Sequence, residues 1–333
     1  MTRSKNTVGV LLINLGGPDS LKAVRPFLYN LFSDRDIIRL GPAFLQKPIA
    51  WLISTLRSKK AEGMYSQIGG KSPILDITTA QAEALERALN TDSGNGDQKP
   101  TLFKTYIGMR YWHPFMKETI EKICSDGIKD LIVLSLYPHY SKATTGSSLA
   151  DFKKAAAGKD IHAHYIEEWP DFPAYIDAMA ELIAQGLSEF GSTDADILYS
   201  AHSLPQSFID EGDPYLDHIK LTADKLNVRL SAPPYNISRI KSHLSFQSKT
   251  GPVKWLKPST EEAINRLGNE KCKNLLIVPI SFVSDHIETQ YEIDILYKKL
   301  AEEKGIHLKR CEALNTSTKF IQAMRYLVLS KVS

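Results

Sequence analysis

Long apolar runs are missing from this 333-residue chain. Nothing approaches the eighteen or so consecutive apolar residues of a membrane span, so no transmembrane helix is expected. Cysteine is scarce. Cys124, Cys272 and Cys311 lie far apart with no CxxC pair. That excludes a disulfide framework and a zinc knuckle, and it suits a reducing compartment. A large net charge is absent too. The formal value of +3 gives no argument for nucleic acid as a partner. The N-terminus reaches its first apolar run by Val8 without the charged-then-apolar pattern of a secretory leader, so none is expected.

What remains is an ordinary soluble composition, 43% hydrophobic and 24% charged, at a length for two domains. The charge is unevenly spread. Residues 1–60 hold ten Lys/Arg against three Asp. An anionic surface or ligand near that part would explain the excess, and so would a solvated basic face.

Apolar runs without clean alternation recur at 8–14, 102–107, 131–136, 162–166, 196–200 and 275–280. They read as strands of parallel sheets covered on both faces. Helical patterns fall at 21–32, 77–90, 175–190, 216–226 and 289–304. Residues 113–138 parallel 257–282 at a constant offset of about 144, with Pro114 matching Pro258 and Glu118 matching Glu262. Two similar α/β halves are therefore expected.

The stretch 33–62 stands out. Within it Leu45, Ile49, Leu52, Ile53 and Leu56 recur at helical spacing beside Phe44 and Trp51, and it ends on Arg57, Lys59 and Lys60. The pattern suits a helix lying in a membrane interface, or an ordinary packed helix.

Polar residues gather just after three of the apolar runs, at 137–148, 201–215 and 281–292. In open parallel sheets ligands bind at the carboxyl ends of strands. LLIVPISFVSDHIETQYEID (275–294) carries a strand into a helix whose first turns hold Asp285, His286, Glu288 and Glu292, the two glutamates four apart. His202 follows the run DILYS. Histidine with carboxylates and no cysteine suits proton transfer, or loose binding of a borderline divalent metal such as Fe(II). A capped helix start and a hydrogen-bonded structural histidine are the plainer readings. Ser203 lacks elbow glycines, so a hydrolase is unsupported. LGGP at 15–18 lacks the GxGxxG spacing of a dinucleotide loop.

ILYSAHSLPQSFIDEGDPY (197–215) resembles the ferrochelatase signature. The resemblance continues in order through LLINLGGPDS, FLYNLFSDRDIIRL, IGGKSPI, MRYWHP, LYPHYSKATTGSS, SFQSKTGPVKWLKP and SFVSDHIETQYEID, over roughly residues 8 to 300. It implies an α/β chelatase fold of two Rossmann-like domains, each a parallel sheet flanked by helices, with the porphyrin cleft between them. We expect an N-terminal domain of 1–140 plus about 312–333, with 33–62 as a hydrophobic lip, and a C-terminal domain of 141–311. The implied activity is a lyase step, insertion of Fe(II) into protoporphyrin IX at the end of heme biosynthesis. Coproporphyrin or another divalent metal, or a non-catalytic tetrapyrrole carrier, are the alternatives.

The same resemblance puts the catalytic and metal roles on His202 and Glu288. It gives Asp285, His286 and Glu292 a supporting acidic helix, and the porphyrin pocket Leu15, Arg110, Tyr111, Ser141, Thr144, Thr145 and Trp169. There are departures. Leu296 stands where a third carboxylate is usual, and Ser66 and Gln67 stand where basic residues can precede the IGG loop, so Lys71 or Arg25 would have to substitute. No permanently bound cofactor and no iron–sulfur cluster are expected, iron being a substrate. Expected partners are protoporphyrin IX, ferrous iron and a membrane surface met by 43–60, with no nucleic acid. The expected state is a cytoplasmic monomer or homodimer, peripheral on the inner face of the cytoplasmic membrane.

Overall fold

The computed structural model describes residues 7–91, 101–191, 194–237, 241–249, 251 and 253–332. β1 (Thr7–Asn14, TVGVLLIN) is buried from Val8 onward. Its apolar run has no polar face because neighbours cover it on both sides. A short 3-10 turn leads into α1 (Val24–Ser33), followed by α2 (Gln46–Ser66) and α3 (Ile74–Thr91). Then come β2 (Leu102–Met109), α4 (Met116–Ser125), β3 (Asp130–Ser135), α5 (Ser147–Ala156) and β4 (His162–Ile166). The four strands are parallel in the order β2-β1-β3-β4. Leu11, Ile13, Leu131 and Val133 meet Met116, Ile120, Ile123 and Phe152 of α4 and α5 in one core.

The second half repeats this plan. It runs α6 (Pro173–Ser188), β5 (Asp196–His202), α7 (Gln206–Asp210), α8 (Tyr215–Ser231), β6 (Ser242–Gln247), α9 (Thr260–Asn269) and β7 (Asn274–Val278). A π-helix (Glu288–Tyr297), α10 (Lys298–Glu303) and β8 (His307–Arg310) complete it, and α11 (Thr318–Leu329) closes the chain. Its sheet is again parallel, ordered β6-β5-β7-β8. Shifting α4 by 144 residues lands on the bounds of α9, and Asp130 of β3 lands on Asn274 of β7. Even the caps correspond. Glu118 and Glu262 each accept a backbone N–H three residues back, from Phe115 and Ser259, as a capping box requires.

The chain divides into two units, one running to Glu168 with the tail from Asn315, the other Trp169–Leu314. The boundary expected after residue 140 therefore moves. β4 pairs with β3, Asp130 opposite His162, so residues 141–168 complete the first sheet rather than open the second. The tail is held to α3. Gln81 Nε2 donates to the Asn315 carbonyl at 2.8 Å and Arg325 Nε to that of Ala88 at 3.0 Å.

Two local readings change. The helix expected over 289–304 begins as a π-helix, bonded i to i+5 rather than i to i+4. α2 runs on past the 33–62 stretch, through Gly63 to Ser66, and so lengthens the expected insert. α2 also has an unusual orientation. It packs on α1 with Gln46, Ala50, Ser54 and Ser58 buried, a small and polar inner face. Trp51, Leu52 and Leu56 point to solvent, with Phe44 and Leu45 just before the helix.

Candidate active site

β5 lies between β6 and β7, so three adjacent parallel strands end on one edge of the second unit. Each end contributes a functional group. β5 ends on His202, whose backbone is tied by side chains. Its N–H donates to Ser281 Oγ at 2.9 Å, and its carbonyl accepts from Tyr215 Oη at 2.9 Å. β7 leads through 279–287 into the π-helix that begins at Glu288. β6 ends on Gln247, and Ser248 follows with φ of 66°, a left-handed backbone uncommon for a residue with a Cβ.

His202 Nδ1 lies 2.8 Å from Glu288 Oε2. The ring is about one-third exposed and the carboxylate largely buried, at 36% and 15%. Burial pushes the His202 pKa down, yet the charge and hydrogen bond of Glu288 carry it above the ordinary histidine value. Burial would raise Glu288, but His202, His286 and Ser248 hold its carboxyl well below the usual range. Glu288 is thus ionised and can only accept, so Nδ1 carries the proton. Nε2 of the neutral ring is then left with its lone pair.

Glu292 joins the pair through Ser248. The serine Oγ is 2.6 Å from Glu288 Oε2 and 2.5 Å from Glu292 Oε2. Gln247 Nε2 reaches Glu292 Oε2 at 3.3 Å and the Glu288 carbonyl at 3.0 Å. Burial and the neighbouring Glu288 push the Glu292 carboxyl up to about 7. Two carboxylates so close cannot both ionise easily, and the environment parts their affinities for a proton.

The other expected members of this helix take different places. His286 is buried with its ring 4.2 Å from that of Phe282, edge to face, and burial lowers its pKa. Asp285 is an anchor, accepting from Arg310 Nη1 and Thr289 Oγ1, both at 2.8 Å. Arg310 Nε also donates to Asp294 at 2.9 Å. This arrangement fixes the entry of the π-helix. Leu296 is partly exposed. Trp169, in the same unit, is buried edge-on against Tyr175 at 4.9 Å.

The remaining expected pocket residues belong to the first unit. Tyr111 N–H donates to the Leu15 carbonyl at 3.0 Å. Ser141 caps a π-turn, Lys142–Gly146, by accepting from the Ala143 N–H at 3.1 Å. Thr145 Oγ1 meets Ser135 Oγ at 3.0 Å, and Thr144 is half-buried beside it. Arg110 and Tyr111 converge on Asp34. One oxygen of Asp34 accepts from Arg110 Nη2 at 2.7 Å, Tyr111 Oη at 2.6 Å and Ser147 Oγ at 2.7 Å. Burial opposes the Asp34 charge, but these donors hold its carboxyl below the usual range.

Asp34, Ser147, Gln247 and Ser248 were not picked out as site residues from the sequence. Their only signal there was position, inside or beside the recognised motifs.

The Ferrochelatase family model matches residues 7–332. The chain belongs to the ferrochelatase family. The ferrochelatase of Geotalea uraniireducens is 52% identical over 328 residues, covering 97% of this chain and 98% of that one. The ferrochelatase of Desulfotalea psychrophila is 50% identical over 323 residues, covering 96% of each. Among solved structures, SirB from Bacillus subtilis with Fe3+ superposes with a TM-score of 0.55 at 12% identity, covering 97% and 95%, a likeness of fold. Membership makes the chain a porphyrin metal chelatase. Its two four-stranded parallel sheets flanked by helices are the chelatase architecture.

Proposed function

We infer that this ferrochelatase inserts Fe(II) into protoporphyrin IX to form protoheme, releasing two protons, and that His202 and Glu288 carry the step. The observation that supports this most is the His202–Glu288 contact at 2.8 Å, between the end of β5 and the first residue of the helix that follows the neighbouring β7. Insertion is slow because two pyrrole N–H protons must leave and because the flat macrocycle resists an ion in its plane. A site that binds the distorted ring better than the flat one lowers that barrier. The unprotonated Nε2 of His202 takes the two pyrrole protons in turn, passing each to solvent, and the anionic Glu288 stabilises the imidazolium formed each time. Glu288 also meets the incoming iron, weakly enough to release it. Glu292 and Ser248 extend the set outward, and His286 stays neutral beside it.

The second part of the reading concerns 43–60. An exposed apolar face on a helix whose inner face is small and polar suits the interface of a lipid bilayer. Phe44 is 78% and Leu56 72% exposed. Arg25 lies over the Trp51 ring at 5.5 Å, and Arg57, Lys59 and Lys60 flank the patch. We place the protein peripherally on the cytoplasmic membrane, with no permanent cofactor and no iron–sulfur cluster. The apolar lip favours protoporphyrin over the four-carboxylate coproporphyrin. One assay tests the substrate assignment. Purified protein is mixed with proto- or coproporphyrin and Fe(II), and loss of free-porphyrin fluorescence is followed. Faster turnover of coproporphyrin would overturn it.

A further inference from the structure

Ser248 has two features that do not usually go together. It occupies the left-handed backbone region, φ 66°, where glycine fits without strain and serine does not. It also places one hydroxyl between two buried carboxylates, at 2.6 and 2.5 Å. A glycine would relieve the backbone and lose the hydroxyl.

The bonds at this strand end are one-sided. Glu288 uses Oε2 for both His202 and Ser248. Glu292 uses Oε2 for both Ser248 and Gln247. Oε1 of each carboxylate has no hydrogen bond among the described residues. Gln247 is itself fixed, its Oε1 accepting from Ser200 Oγ at 2.6 Å, and Ser200 in turn meets Thr260 Oγ1 at 2.8 Å.

We propose that Ser248 is a positioning residue, whose hydroxyl turns one oxygen of Glu288 and one of Glu292 inward and leaves the opposite oxygens to the iron ion. The proposal rests on the reading of Glu288 as an iron-handling group. Ser248 touches neither porphyrin nor iron in this scheme. It acts through the two glutamates, and its loss lets both carboxylates rotate.

The test is two-substrate kinetics on the full chain, varying Fe(II) and porphyrin separately, for Ser248→Gly, Ser248→Ala and Glu288→Gln. Ser248→Gly removes the hydroxyl and relieves the backbone, which offsets part of the lost hydrogen bonding. Its KM for Fe(II) rises about tenfold or more, as loss of a hydrogen bond to a charged group implies, while its KM for porphyrin stays unchanged. Ser248→Ala gives the same split. Parental KM for Fe(II) in Ser248→Gly, or an equal rise for both substrates, overturns the proposal while Glu288 keeps its role. Full activity in Glu288→Gln overturns the underlying reading and this proposal with it.

Discussion

Glu288 Oε2, at the start of the π-helix, lies 2.8 Å from Nδ1 of His202, at the end of β5 and 86 residues away in sequence. The contact orients the imidazole and leaves Nε2 as its open nitrogen. As the proposed base, His202 would take part in every turnover. His202→Ala is expected to cut chelation at least about a hundredfold while porphyrin still binds. Chelation rates and porphyrin fluorescence titration check the two halves. Near-parental turnover would remove His202 from the mechanism.

The same pair sets a pH dependence. A base must be neutral to accept a proton, and Glu288 raises the His202 pKa above its ordinary value of about 6.5. The acid limb of kcat/KM is therefore expected above that value. Glu288→Gln removes the raising charge, so the residual activity should show the limb displaced to lower pH. A limb that stays in place in Glu288→Gln would mean another group titrates. Glu288→Gln is also expected to lose more activity than Glu292→Gln.

Glu292 has the opposite sense to Glu288. Its folded pKa is raised, to about 7. A raised pKa stabilises the fold fully below the unfolded value, and that stability is lost as pH rises through the folded one. The fold therefore loses stability between about 4.5, the ordinary carboxyl value, and about 7. Glutamine mimics the protonated acid and does not ionise. Glu292→Gln is expected to raise Tm relative to the parent at pH 8, with the difference gone below about pH 4.5. Thermal melts across that range check it, and an equal Tm at pH 8 would contradict it.

Asp34, at the C-terminal end of α1, gathers Arg110, Tyr111 and Ser147 within the first unit. Removing the carboxylate takes the 2.7 Å ion pair from a partly buried guanidinium, which keeps Asp151 at 3.7 Å, and takes the acceptor from two hydroxyls. Asp34→Ala is expected to destabilise the protein by about 3 kcal/mol. Denaturant titration measures this, and a loss under about 1 kcal/mol would show the network to be solvent-screened.

How much of this was legible in the chain depends on burial. β1, β3, β5 and β7 are covered on both faces and read as apolar runs. β6 and β8 are not. SHLSFQ is only half-buried at its start, and HLKR is four residues with an exposed end, so neither carries an apolar run. Missing β6 hid Gln247 and Ser248. The π-helix was hidden for another reason, because Glu288 and Glu292 four apart also fit an α-helix. Asp34 looked like one acid of a charged loop, since its partners lie 76 to 113 residues away. His202 and Glu288 were singled out from strand ends and a family resemblance. Only the fold shows them in contact.

The exposed apolar face of α2 offers a prediction that leaves the rest of the protein untouched. Phe44, Leu52 and Leu56 are exposed, so charging them removes no core contact. If their face lies in a bilayer, each acid must enter the interface or keep the helix out of it. Around it Arg25, Arg57, Lys59 and Lys60 add attraction to anionic headgroups. The variant Phe44→Glu, Leu52→Glu, Leu56→Glu is expected to keep its parental Tm and to lose most of its sedimentation with vesicles of anionic phospholipid. Raising the salt should weaken the parent on the same vesicles, because surface attraction falls off within a Debye length. Equal sedimentation of parent and variant would show that α2 presents this apolar face to something other than lipid.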